Sequence, residues 1–206
     1  MIFKANPGQT SYGQDIGILL LDSHAPFIQG DVANAKSYAY PVRFKPVPGL
    51  TVERLLSHDL SLMPGIVQKA RELEQEGVRA ISSDCGFMGF FQKEVQAAVN
   101  IPVLLSSLLQ IPFIRSTLPQ NSRLGIITAH SGSLSAELFS RLQINDLKSL
   151  VIAGLQDKPY FYQAAIAETG TLDSDQIRLE VKDLALDMLA QHPDIKSLLL
   201  ECSMLP

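Results

Sequence analysis

Cys85 and Cys202 are the two cysteines of the 206-residue chain, and the residues around them match. Residues 78–88, VRAISSDCGFM, lie over residues 195–205, IKSLLLECSML. Each stretch reads apolar, basic, small, aliphatic, two further strand residues, acid, cysteine, small, apolar, apolar. A thiol has an ordinary pKa of about 8.5 and becomes an acid or a base with modest tuning. Two thiols on opposite sides of one carbon supply what inversion needs: one takes a proton from one face while the other gives one to the opposite face. Taken alone, either cysteine reads as a small buried hydrophobe. Their matched placement argues for proton transfer at a carbon acid, with Cys85 and Cys202 as the catalytic pair. The acids beside them, Asp84 and Glu201, would oppose thiolate formation if they point inward. Strand alternation allows them to face elsewhere.

The elements that must position this pair alternate between strand and helix along the whole chain, the pattern of a parallel α/β sheet. In the first half, residues 16–21 are an apolar run suited to a strand covered on both faces. An irregular Gly- and Pro-rich stretch, residues 26–49, leads to a helix over residues 64–76 that Gly77 stops. A strand at 78–83, a helix at 90–99 and a short strand at 103–105 follow. The second half repeats the plan. Strands are expected at 124–128, 150–153 and 196–200. Helices are expected at 134–142, at 161–167, and from an Asp173/Gln176 capping box through residue 190. Ile16-Gly17-Ile18-Leu19 matches Leu124-Gly125-Ile126-Ile127, each strand opening its half. Such a repeat puts equivalent residues at equivalent points of two lobes, divided as 1–118 and 119–206. Both cysteines then lie just past the carboxyl end of a parallel strand, where open α/β sheets bind ligands. Cys85 also precedes a glycine-bearing turn and the helix expected at 90–99, whose N-terminus would stabilise a thiolate and hold a carboxylate.

Apolar residues make up 46% of the chain and the formal net charge is -4 without a basic block, which disfavours nucleic acid or an anionic membrane as partner. No apolar run approaches a membrane span, and the polar first fourteen residues lack a signal core, so a cytoplasmic protein is expected. The cysteines and four histidines form no zinc pattern, and no P-loop, dinucleotide fingerprint or H-E-x-x-H is present. No cofactor and no metal are expected. His24 and His130 fall at related places after the first strand of each half, as turn or surface residues.

The chain resembles the aspartate/glutamate racemase superfamily, hydantoin racemases included. The resemblance rests on residues 16–23 (IGILLLDS), 30–42 (GDVANAKSYAYPV), 83–92 (SDCGFMGFFQ), 102–112 (PVLLSSLLQIP), 124–129 (LGIITA) and 200–206 (LECSMLP). It implies two pseudo-symmetric Rossmann-like lobes with mainly parallel sheets and a cleft between them. It also implies a cofactor-independent racemase or epimerase with Cys85 and Cys202 as its two thiols. The substrate it implies is a small carboxylate or hydantoin-like molecule. Asp22 and Ser23 fall on the pair after the first strand, Gly86, Phe87 and Ser203 where relatives hold the substrate carboxylate, and Thr128 and Ser131 in the second lobe's ligand-facing loop. Turn or capping roles suit Asp22, Ser23, Thr128 and Ser131 as well. Relatives continue beyond the second cysteine through a further helix, whereas this sequence stops at Pro206. A shortened form, active or reduced to ligand binding, and a homodimer covering the apolar surface are therefore expectations too. A decarboxylase or a cis-trans isomerase on the same scaffold is the nearest enzymatic alternative.

Overall fold

The computed structural model describes residues 1–205; Pro206, which closes the last resembling segment, lies outside them. Strand β1 (Ile16–Leu20) takes the centre of the first sheet because its aliphatic run can be buried on both faces. On one side it pairs with β2 (Val42–Pro46), and on the other with β3 (Ala80–Ser83), followed by β4 (Val103–Leu104). The order is β2-β1-β3-β4 and every pairing is parallel. The second sheet places β5 (Arg123–Thr128) between β6 (Leu150–Gly154) and β7 (Ile195–Leu200), again parallel, in the order β6-β5-β7.

The internal repeat holds at the level of register. Leu19 stands opposite Ser83 and Ile127 opposite Leu200, partners that the sequence overlay makes equivalent. Each lobe then lays the helix that precedes its cysteine strand across its central strand. In the first lobe α1 (Val52–Leu56) is followed by α2 (Met63–Gln75), which buries Ile66, Ala70 and Leu73. The chain returns to the sheet through α3 (Gln92–Ala98) and leaves it through α4 (Ile111–Thr117). The second lobe carries α5 (Ala136–Arg141), the short α6 (Pro159–Phe161) running into a π-turn Tyr162–Ile166, and α7 (Ser174–Gln191). Close helix–strand approach explains the matched glycines. A Cβ on Gly17 would sit 2.9 Å from Leu73 of α2, and one on Gly125 2.9 Å from Met188 of α7.

Several elements depart from the expected pattern, each for a physical reason. Strand β2 and helix α1 emerge at and just after the stretch read as irregular. Pro46 is tolerated in β2 because that strand is an edge, where a missing N–H costs no ladder bond. The helix expected at 90–99 forms as α3 but starts at Gln92, after a 3-10 turn over Gly86–Phe91. The six residues of that turn, GFMGFF, are all buried, and two glycines make a poor α-helical start. Helix α5 starts at Ala136 rather than 134, because Ser135 caps it by accepting the N–H of Leu138 at 3.1 Å. Asp173 caps α7 as expected, accepting the N–H groups of Asp175 and Gln176.

The lobes are packed together, not strung apart. One apolar core runs from Leu19, Ile81 and Phe87 into Leu124, Leu138 and Phe139 of the second lobe. Around it Arg141 reaches Glu94 at 2.7 Å and lies 4.2 Å over the ring of Phe90. Ser107 donates to the carbonyl of Leu200 at the outer edge of β7 at 2.9 Å. Among the described residues no helix is long and apolar enough to cross a membrane.

Candidate active site

The two central strands end at a shared cleft, and the cysteine-bearing strands end beside them. Cys85 and Cys202 line the same small cavity, about 50 Å³, together with Leu21, Ser23, Phe27, Asp84, Phe87 and Ser203. A single water needs roughly 10–15 Å³ by this measure, so the space suits a few waters or one small molecule. Side chains of Ala165 and Ile166 from the π-turn cover the second-lobe side. A larger open groove, about 420 Å³, runs between α7, β7 and residues 26–31 and meets the cavity at Ser203 and Met204. The thiols belong to the small cavity.

The acids that precede the cysteines turn inward, and they do so in matched fashion. The N–H of Asp84 donates to Leu19 and that of Glu201 to Ile127, equivalent positions at the ends of β1 and β5. The Asp84 carboxylate accepts the N–H of Leu21 at 3.1 and 3.2 Å, and the N–H of Ala129, the equivalent residue, lies near enough to Glu201 to favour its charged form. Each acid thus ties the cysteine strand to the loop leaving the central strand. Thr128 adds a hydroxyl bond to Glu201 Oε2 at 2.7 Å, and Ser203 donates to Asp31 at 3.1 Å and to the Asp84 carbonyl at 2.7 Å.

The electrostatic result is a site poised against negative charge. Burial pushes the Asp84 carboxyl up to about 7, with the charge of Asp31 adding to it and the Leu21 N–H working against it. Burial likewise carries Glu201 up to about 7, against the pull of Thr128 and Ala129. Burial, then the charges of Glu201, Cys202 and Asp84, push the Cys85 thiol well up; the N–H of Phe87 opposes them. Cys202 is also pushed well above the usual thiol range by burial, Glu201, Asp31 and Asp84, opposed by the N–H of Met204. Both cysteines are free and neutral around pH 7. The expected activation by a helix N-terminus does not arise. Cys85 opens a six-residue 3-10 turn, and α3 begins only after it, at Gln92.

A stability prediction arises here. A buried acid whose pKa is raised keeps its proton in the folded state while the unfolded chain loses it. Stability therefore falls as pH rises from the unfolded value of about 4 to the folded value of about 7, and levels off above. In urea titrations, Glu201→Gln is expected to remove part of that decline relative to the parent protein, and Asp84→Asn another part. Parallel pH profiles for parent and variants would contradict it.

The residues singled out in the sequence divide into two groups. Cys85, Cys202, Ser23, Phe87 and Ser203 line the cavity. Gly86 lies behind it, pressed against Glu201. Asp22, Thr128 and Ser131 do not reach its wall. Asp22 is exposed and accepts the N–H of Gly49 at 2.9 Å, Thr128 is buried on Glu201, and Ser131 is bonded to Gln156. Asp84 as a wall residue and Asp31 behind Ser203 were missed. The signal for Asp84 was the acid–cysteine pair itself, set aside on strand alternation. Asp31 sits in the irregular stretch and gave no signal.

Comparison of the coordinates with solved structures decides the fold. A liganded double mutant of arylmalonate decarboxylase superposes with a TM-score of 0.57 at 17% identity, covering 94% of this chain and 79% of that one. An aspartate racemase from Picrophilus torridus gives 0.55 at 14% identity over 93% and 82%. The chain has the aspartate/glutamate racemase fold. No protein-family model matches the sequence. Among curated proteins, a dimethylsulfoniopropionate lyase of Durusdinium sp. clade D is 33% identical over 200 residues, 93% of this chain and 65% of that protein. Dimethylsulfoniopropionate lyase 6 of Emiliania huxleyi (strain CCMP1516) is 31% identical over 202 residues, 93% and 52%. The chain thus spans between about half and two thirds of the length of these relatives. These names overturn the racemase expectation. The sequence relatives on this racemase-like scaffold are lyases, not isomerases, so neither an amino-acid racemase nor an epimerase describes the chain. The resemblance led to the fold correctly and to the reaction wrongly.

Proposed function

We propose that the chain is a lyase that breaks a carbon–sulfur bond by β-elimination, with dimethylsulfoniopropionate as its substrate. The observation that carries this reading is the make-up of the cavity. Two thiols face it, the other ionisable group on its described wall is the Asp84 carboxyl, and no lysine, arginine or histidine is among its lining residues. Such a wall gives an amino-acid side-chain carboxylate no cationic partner. It suits a ligand carrying a positive charge of its own, which the inward acids and the rings of Phe27 and Phe87 attract.

In the reaction, one thiol loses its proton as the sulfonium settles beside it, since a nearby cation favours the charged form of an acid. The thiolate takes a proton from the carbon next to the substrate carboxylate. The C–H electron pair becomes the carbon–carbon double bond, and the C–S pair leaves with sulfur. The products are neutral dimethyl sulfide and acrylate; the proton taken from carbon restores the neutral thiol, and the one proton released per turnover is that which the thiol gave to water on substrate binding. Phe87 and Ser203 stand where main-chain amides can take the carboxylate end. Elimination needs a single base, so the second thiol acts as a neutral hydrogen-bond donor. The reading treats residues 1–118 and 119–206 as the two lobes that close on the substrate. It places the protein in the cytoplasm, as two free thiols near a cleft suit a reducing compartment.

The test is direct. Purified protein given dimethylsulfoniopropionate is expected to release dimethyl sulfide and acrylate in equal amounts. Absence of both at high protein concentration would overturn the proposal.

A further inference from the structure

Glu201 is the one acid of the site whose hydrogen bonding is left half made. Its Oε2 is held by Thr128, while Oε1 is buried and has no hydrogen-bond partner among the described residues. Asp84, its equivalent in the first lobe, has both oxygens on the N–H of Leu21. The unpartnered Oε1 projects across the cleft onto the backbone beside the other cysteine: a Cβ added to Gly86 would lie 2.2 Å from it. A glycine is required there because the two strand ends meet through this contact. Glu201 is therefore adjacent in sequence to one thiol and packed against the neighbour of the other.

A carboxylate in that position leaves a charged oxygen without a donor in a water-poor interface, which is costly. A proton on Oε1 removes the charge and leaves the Thr128 bond intact. We propose that Glu201 is a positioning residue for the thiol pair: it holds a proton on Oε1, and a thiolate forms at Cys85 or Cys202 while that proton is in place. Negative charge is then limited to one group at a time across the interface. Among charged groups, Glu201 is the largest influence raising both thiols, which accords with this role. The other titratable groups facing the pair are Asp84 at the end of β3, which faces both thiols, Asp31 from the loop after β1, which faces Cys202, and the Cys202 thiol itself, which faces Cys85. The Tyr38 hydroxyl lies beyond them, coupled to Asp31 and Asp84.

The inference rests on the shared thiol site but not on the substrate proposed for it, and its test uses no substrate. In Cys202→Ser and Cys85→Ser proteins, the surviving thiol is alkylated with iodoacetamide across a pH series, with and without Glu201→Gln. Glutamine keeps the size and an acceptor for Thr128 but cannot ionise. Removal of one adjacent negative charge is expected to lower the alkylation midpoint at both positions by about one to three pH units. A Glu201 with a purely structural role would lower the melting temperature and leave both midpoints in place, and that result overturns the proposal. Should Glu201→Gln fail to fold, Thr128→Val leaves Glu201 in place and removes the bond that favours its charged form. The midpoints are then expected to fall by a smaller amount, and unchanged midpoints in that variant overturn the proposal equally. Loss of lyase activity with intact midpoint shifts would count against the substrate reading alone.

Discussion

Replacing one of the two cysteines by serine is expected to cut dimethyl sulfide release by about 10²–10⁴-fold, the usual share of a general base. Replacing the other is expected to cost no more than roughly tenfold, because the serine hydroxyl still donates a hydrogen bond and only its reach changes. The asymmetry follows from the reaction. Elimination draws one proton from one face, so one sulfur must ionise and its partner need not. A serine hydroxyl fills the space but cannot be ionised in a site already crowded by Asp31, Asp84 and Glu201. Steady-state rates for Cys85→Ser and Cys202→Ser, with urea titrations to show that both fold, check the point. Equal and near-complete losses in both variants would indicate that the two thiols act in every turnover and would contradict the single-base scheme.

Gly86→Ala is expected to damage both stability and turnover. A methyl group there meets Glu201 Oε1 at 2.2 Å and the Glu201 backbone carbonyl at 2.6 Å. The side chain could swing aside, but the backbone of β7's end cannot move without carrying Cys202 away from Cys85. Overpacking of this kind costs about 1–3 kcal/mol, and displacement of a reacting group by about an ångström costs on the order of a hundredfold in rate. Gly65→Ala is the control. It lies in α2 with its nearest neighbour, a methyl of Val47, at 3.8 Å, an ordinary contact. That change is expected to leave turnover alone and to stabilise the protein by up to about 1 kcal/mol. Similar behaviour of the two variants would mean that the Gly86 contact does not set the distance between the lobes.

The repeat made much of the architecture readable. Long apolar runs such as residues 16–21 and 124–128 and the amphipathic helix ending at Gly77 follow from periodicity, because burial dictates their pattern. Matched VRAISSDCGFM and IKSLLLECSML segments located the thiols at strand ends. Other features depend on neighbours distant in sequence. Strand β2 is recognisable as a strand through its pairing with β1, since VRFKP alone is short, charged and ends in proline. The two glycines of the turn at Gly86–Phe91 are a local signal against an α-helical start, but its complete burial comes from neighbours that local propensity does not encode. Asp31 reaches the site through Ser203, a partner 172 residues away. Reaction type was the least legible. A matched pair of thiols is compatible with inversion or elimination, and the charge of the cavity wall, which bears on that choice, takes shape in the folded protein.

The account stands on Cys85 and Cys202 sharing one small cavity, and a short bifunctional reagent measures that directly. Treatment of the native protein with 1,3-dichloroacetone, followed by proteolysis and mass spectrometry, is expected to give an intramolecular bridge joining the two cysteine peptides. Dimethylsulfoniopropionate is expected to slow its formation. Separate single adducts on each cysteine, or bridges found between molecules, would contradict the shared site and with it the proposed chemistry.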